Sequence, residues 1–127
     1  MGCTKIEVLN FFIEGIPYSQ RKSRGDIEAP DRWSETVKRV TNDLPRAKGP
    51  CYMEVEFVLP KNKYPSDHPH GSDLDNLMKR LLDALNDTIF SEVAGKDGNV
   101  TKLVVSKRQA MQNELTGARV IIADRGE

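Results

Sequence analysis

Apolar and polar positions change period several times along the chain. "KIEVLNFFIE", Lys5 to Glu14, is dense in β-branched and aromatic residues and predicts a strand, closed by Gly15 and Pro17. "YSQRKSRGDIEAPD" has no period and reads as an irregular, basic, glycine-containing loop. From Arg32 to about Leu44, Trp33, Val37, Val40 and Leu44 recur at steps of three to four. That spacing predicts a helix with one apolar face, Asp31 as its N-cap, Glu35 near its first turn, and Pro45 and Gly49 closing it. "CYMEVEFVLP" alternates and predicts a second strand, followed by the polar loop "KNKYPSDHPHGS". A second helix is expected from Gly71 to roughly Thr88, with Leu74, Leu77, Leu81 and Leu85 on its core face. "VTKLVVSK" and "ARVIIAD" predict two further strands. The order strand, helix, strand, helix, strand, strand points to a mixed α/β chain with no internal repeat.

Composition narrows the picture modestly. A length of 127 residues favours one domain, 1–127, with room for a moderate core but little for a separate substrate domain. Charged residues make up 30% and cancel to zero formal net charge, so bulk charge does not announce nucleic acid and any positive surface must be local. Cys3 and Cys51 are far apart and lack a CxxC spacing, which argues against a zinc site or a disulfide framework and fits a reduced, cytoplasmic setting. No stretch is apolar enough to span a membrane, and charges interrupt any secretory h-region.

The chemistry concentrates at "GSDLDNLMKRLLDAL", where Asp73 and Asp75 open the second helix and Lys79 and Asp83 follow at successive turns. Taken alone, the stretch is explained by capping, a dipole contact and an ion-pair stripe on a solvated face. Magnitudes show what would change that reading. A cap is worth about 1 kcal/mol. Two carboxylates roughly 5 Å apart repel by on the order of 3 kcal/mol at an effective dielectric of 20. A third ionised acid at the same place would need a cation, and Mg2+ takes a few carboxylate oxygens plus water and phosphate. Asp97, in the turn "KDGNVTKLVV", is the candidate; its simpler role is to make that turn with Gly98. His68 and His70 flank the motif, but Pro69 and the polar loop around them favour solvent exposure over metal binding. An EF-hand is excluded because Met78 and Ala84 stand at its glycine and glutamate positions. A nucleotide-sugar transferase is disfavoured by the short chain, which offers no nucleotide-binding region.

"SDLDNLMKRLLDALND" followed by "DGNVTKLVVSKR" resembles the signature of the RusA family of Holliday-junction resolvases, metal-dependent endonucleases of bacteria and phages. "GIPYSQRKSR" resembles a second, weaker family element, and the resemblance covers most of the chain in order. It implies a single mixed β-sheet with helices packed on it. It also implies catalytic, Mg2+-holding acids at Asp73, Asp75 and Asp97, and an active-site lysine at Lys79. Asp83 matches a recurrent family acid of structural or catalytic role. Two departures stand out. Lys96-Asp97 replaces a pair of acids, and the segment from Leu85 to Asp97 is a few residues longer than usual, which makes Glu92 a rival third acid. Gln20 and Ser23 stand where the family often has Lys and Pro.

Arg21, Lys22 and Arg24 suit DNA phosphate contacts, and Lys102, Lys107 and Arg108 could extend the basic rim, with ordinary surface charge as the plainer alternative. Lys79 can stabilise the transition state or orient water, or it can simply pair with Asp75 or Asp83. Trp33 is expected in the core. The resemblance implies a crossover junction endodeoxyribonuclease that makes paired, symmetric nicks in a branched, four-way DNA during recombination and repair. Two cuts on a two-fold substrate imply a homodimer. The alternative is a non-catalytic branched-DNA-binding protein of the same fold.

Overall fold

The computed structural model describes residues 8–18, 28–61 and 74–124. The chain runs β1 (Val8–Glu14), α1 (Ala29–Thr41), β2 (Cys51–Leu59), α2 (Leu74–Leu85), β3 (Val100–Gln109) and β4 (Gly117–Asp124). The expected order of elements is observed. One four-stranded mixed sheet forms in the order β1-β4-β2-β3. β2 and β3 are parallel, and β4 is antiparallel to both β1 and β2. Thus β1, β2 and β3 all point the same way. Each helix returns the chain against that direction, so the N-termini of α1 and α2 lie at the C-terminal ends of these strands.

Alternation in β2 decides which face is covered. Cys51, Met53, Val55, Phe57 and Leu59 are buried, whereas Tyr52, Glu54 and Glu56 are only half-buried. Both helices pack on the first face, placing Trp33 and Val37 of α1 and Leu77, Leu81 and Leu85 of α2 in one core with Val120 and Ile122 of β4. Trp33 is in the core, as its position in the helical pattern implied. Fully burying a side chain such as Leu81 is worth about 1.5–3 kcal/mol, so the apolar stripe, not helix propensity, holds α2 down.

The first helix departs from its expected bounds. It starts a turn earlier, at Ala29, with Glu28 rather than Asp31 at the N-cap position and no side-chain cap. Pro30 lies in the first turn, where a missing N–H costs nothing. Asp31 sits inside that turn, 3.9 Å from the Arg80 guanidinium of α2. The helix ends at Thr41, whose hydroxyl donates to Val37 O at 2.7 Å, and the chain leaves through a turn toward Pro45. Gly117, where β4 begins, has a reason for its identity: a Cβ there would stand 2.0 Å from Ile13 O of β1.

Candidate active site

Asp75, Lys79, Asp83 and Asn86 recur at offsets of four, eight and eleven residues, which places them within one longitudinal stripe of α2 and its first following turn. Asp75 is exposed in the first turn, where the helix dipole favours an anion, and its Oδ1 accepts the Asn76 N–H at 2.9 Å. Lys79 and Asp83 are also exposed. The i,i+4 pairing that their spacing allows is not formed. Charges elsewhere behave differently: Lys38 pairs with Asp87 at 3.0 Å, Lys48 with Glu92 at 3.2 Å, and Arg80 donates to Ser34 at 3.0 Å. The α2 stripe keeps its acids and its cation side by side but unneutralised.

The lower end of the stripe receives Asp97. After α2 the chain turns through buried Ile89 and Phe90, then reaches Gly95 in the left-handed region at φ 84°. Lys96 follows at φ 47°, a conformation that costs a residue with a Cβ about 1–2 kcal/mol. A short 3-10 turn, Lys96–Asn99, leads into β3. Within it Asn99 Nδ2 donates to Ala94 O at 2.7 Å and to Lys96 O at 2.9 Å. Asn86 then grips Asp97 at two points: its Oδ1 accepts the Asp97 N–H at 3.0 Å, and its Nδ2 donates to Asp97 Oδ2 at 3.2 Å. Asp97 Oδ1 makes no hydrogen bond among the described residues.

Eleven residues of helix separate the anchors of Asp75 and Asp97 by about 16 Å. The two acids therefore belong to opposite ends of α2. Among the described residues, no three His, Cys, Asp or Glu side chains come close enough to hold one ion. Asp73 lies outside the described residues, as do Arg21, Lys22 and Arg24 of the basic loop, Gln20, Ser23, His68 and His70.

The remaining candidates separate clearly. Glu92, the rival third acid, is committed to Lys48 on the loop before β2. Lys102 is in register with Tyr52 and Lys107 with Phe57, so the two lysines leave β3 on opposite faces, Lys102 on the open face and Lys107 on the helix-covered one. Arg108 is engaged by carboxylates, at 3.2 Å from Glu56 and in a bidentate pair with Glu114, and these acids hold its pKa above the usual arginine value. The buried Cys51 thiol is pushed up to about 11 by burial and then by Asp124, so it stays protonated and inert.

A stripe of exposed acids around a lysine, on a helix that opens at the C-terminal ends of three co-directed strands, is what the comparison with known families must explain. The family model described as Endodeoxyribonuclease RusA matches residues 20–122. The chain belongs to the RusA endodeoxyribonuclease family. No curated protein matches it. The matched region of this RusA chain takes in α1, β2, α2, the Asp97 turn, β3 and most of β4. RusA proteins are nucleases of Holliday junctions, generally dependent on a divalent metal.

The donor type suits such an ion but the positions do not: Asp75 and Asp97 each offer a carboxylate oxygen that makes no hydrogen bond among the described residues, yet they stand at opposite ends of α2, too far apart to share one ion. Sequence reasoning overlooked Asn86 as the partner of Asp97. Its signal was present: it sits in "DALND", three residues after Asp83 and eleven after Asp75, on the same stripe. No helix among the described residues is long and apolar enough to cross a membrane.

Proposed function

We propose that this RusA-family chain is a Mg2+-dependent, structure-selective endodeoxyribonuclease. It resolves Holliday junctions by paired, symmetric nicks during DNA recombination and repair. It works as a homodimer in the cytoplasm, with one active site for each cut strand. The observation that carries this reading is the unneutralised Asp75–Lys79–Asp83 stripe, ending in the Asn86-held Asp97, within a chain of this family.

The resemblance assigns the metal to Asp73, Asp75 and Asp97; Asp73 and Asp75 would hold it, and Asp97, anchored about 16 Å from Asp75, does not reach the same ion within one chain. When bound, the ion supplies activation of water and neutralisation of charge on the scissile phosphate. The protein's own groups do the rest. Lys79, one turn into the helix, places a cation where the phosphate gathers charge and is not drawn off by a neighbouring acid. Asp83 lies one turn beyond the lysine on the same stripe. Arg21, Lys22 and Arg24 hold backbone phosphates, and Lys107, on the helix side of β3, extends that contact. Lys102 faces the other side of the sheet, so its contact with DNA would require a second arm of the branched substrate.

One reading competes on a specific observation. Lys96 stands where the family has an acid, and Asp75 and Asp97 are anchored at opposite ends of α2, which favours a branched-DNA-binding protein without cleavage. Labelled four-way, forked and linear duplex DNA, incubated with and without Mg2+, distinguishes the two. Symmetric Mg2+-dependent nicks in the four-way junction are expected. Tight junction binding with no nicks at any Mg2+ concentration would leave the binding reading, and equal cutting of linear duplex would leave a generic nuclease.

A further inference from the structure

We infer that the homodimer forms through β3: the outer edges of two β3 strands pair antiparallel across a two-fold axis and join two four-stranded sheets into one continuous sheet. The inference rests on the homodimer reading and deepens it, by naming where a second copy of this chain docks.

β3 stands at the edge of the sheet, laddered to β2 on one side and to no strand on the other among the described residues. Its ten residues include neither proline nor glycine, and none of them is buried. The core stops one strand short. Met53 of β2 is fully buried, whereas Leu103, beside it in the ladder, is 41% exposed, and Val104, on the open face, is 43% exposed. Such an edge presents a row of backbone donors and acceptors flanked by apolar side chains, which an added strand satisfies. A strand turned about a two-fold axis is its own complement. Centred on Val104, the pairing sets Leu103 against Val105 and Lys102 against Ser106; centred on Leu103, it sets Lys102 against Val104. In neither register does a lysine oppose a lysine, the arrangement that would weaken the pair.

The other edge serves less well. β1 has seven residues, and its Ile13 is already buried in the core. α1 packs on β1 and α2 on β3. Pairing at β1 would leave β1, β4 and β2 of both copies, about 4.8 Å apart, between the two α2 helices. Pairing at β3 lays those helices side by side and antiparallel on one face of the sheet. On α2, Arg80 and Asp87 turn toward α1, through Ser34 and Lys38. Asp75, Lys79 and Asn86 lie round the helix from them, on the side where Asn86 holds the turn that leads into β3. The two charged stripes then face each other across the axis. Run against itself, the order acid, lysine, acid sets Lys79 closer to the second copy's acids than to its lysine, so charge favours the arrangement. Two stripes opening on one face at a fixed separation suit a two-fold substrate with two strands to cut.

The test uses the full chain in a Cys3→Ser background. Sedimentation gives the dimer dissociation constant, non-reducing gels after mild oxidation give the crosslink, and circular dichroism reports the fold. Leu103→Glu and Val104→Glu should each raise the dissociation constant at least about tenfold, by setting like charges at or beside the axis. Their dichroism should match the parent's, since both side chains are exposed in the single chain. Directly opposed Cα atoms in antiparallel strands lie about 4.5–5.5 Å apart, within reach of a disulfide. Either Val104→Cys or Leu103→Cys should therefore link two chains readily, and which of them does so gives the register. Met111→Cys, exposed but beyond the end of β3, should stay unlinked. If the parent dimerises while both Glu variants keep its dissociation constant and neither axial cysteine links faster than Met111→Cys, the inference is overturned and the homodimer reading survives. If the parent sediments as a monomer at every concentration, the homodimer reading fails and takes the inference with it. If the Glu variants lose the fold, the cysteines decide alone: linkage at the axis supports the inference and its absence overturns it.

Discussion

Two polar contacts, made by residues only two apart in sequence, fasten the chain as it leaves α2, and they could hardly be less alike. Thr88 meets Thr41 of α1 at 2.8 Å, hydroxyl to hydroxyl, and both are almost fully buried. With the Thr41 proton given to Val37 O, Thr88 donates to Thr41, so the pair is neutral and its donors are spent. Asn86 meets Asp97 near the surface, and there one partner carries a charge and an oxygen that nothing uses. A buried, saturated pair defines how α1 and α2 stack, and losing either partner leaves an orphan in low dielectric. A half-exposed carboxylate with a spare oxygen adds little to folding.

The sharpest way to break this contrast is to remove the charge alone. Asp97→Asn or Asp75→Asn should lower junction cleavage by at least about a hundredfold, the scale of losing a key electrostatic group, with Tm nearly unchanged. Glu92→Gln, which breaks only the exposed pair with Lys48, should cleave like the parent; an inactive Glu92→Gln beside an active Asp97→Asn would exchange their roles. Lys79→Ala should come next, slowing single-turnover cleavage by roughly tenfold to a hundredfold while metal-free junction affinity moves by a few-fold at most. Equal loss in both quantities would make Lys79 an ordinary phosphate contact.

On the structural side, Thr88→Val should cost about 1–3 kcal/mol in urea unfolding, since it strips Thr41 of its partner inside the core, and should leave the Mg2+ concentration for half-maximal junction cleavage unchanged. The smallest effect belongs to a carboxylate with no oxygen to spare. Glu114 accepts from both Arg108 nitrogens and from the Met111 N–H, and Arg108 first, then that backbone bond, hold its pKa down at about 2. A lowered folded value stabilises the turn at every pH above the ordinary glutamate range, and the contribution fades as pH falls from there through about 2. Protection of the Met111 amide, its exchange measured against an unstructured amide at the same pH, should fall over that window and stay level between pH 5 and 8.

Periodicity and β-branched runs conveyed the elements and their order: α1, α2 and β2 each bury one face, whereas β3, with no buried residue, was readable from its valines. It did not convey the start of α1: Asp31 is a good cap by type, yet Pro30 and the contact with Arg80 draw it into the first turn. Strand order was out of reach, since alternation records which face is buried and not which strand lies alongside. For the site, the Asp75–Lys79 spacing was readable and the family motif named Asp97. Asn86 was missed because amides are read as surface until a partner is known, and its partner sits eleven residues on. The parity of Lys102 and Lys107 was open to reading, since residues five apart in a strand face opposite ways.

Placing β4 between β1 and β2 has a consequence for how the protein comes into being. During synthesis β1 emerges before the other strands of the sheet and finds no neighbour, for its hydrogen-bonded partner is the last of the four described strands to be made. The Gly15–Thr116 contact at the end of that seam joins residues 101 apart in sequence. The β2–α2–β3 unit can assemble locally as it leaves the ribosome, while β1 waits as an exposed apolar strand that invites pairing with another chain. Only when residues through Asp124 are free can β4 slot in and join the two halves. Emergence of β4, rather than collapse of the first half, then sets the moment at which this sheet exists, and a delay before β4 emerges is when aggregation should be worst.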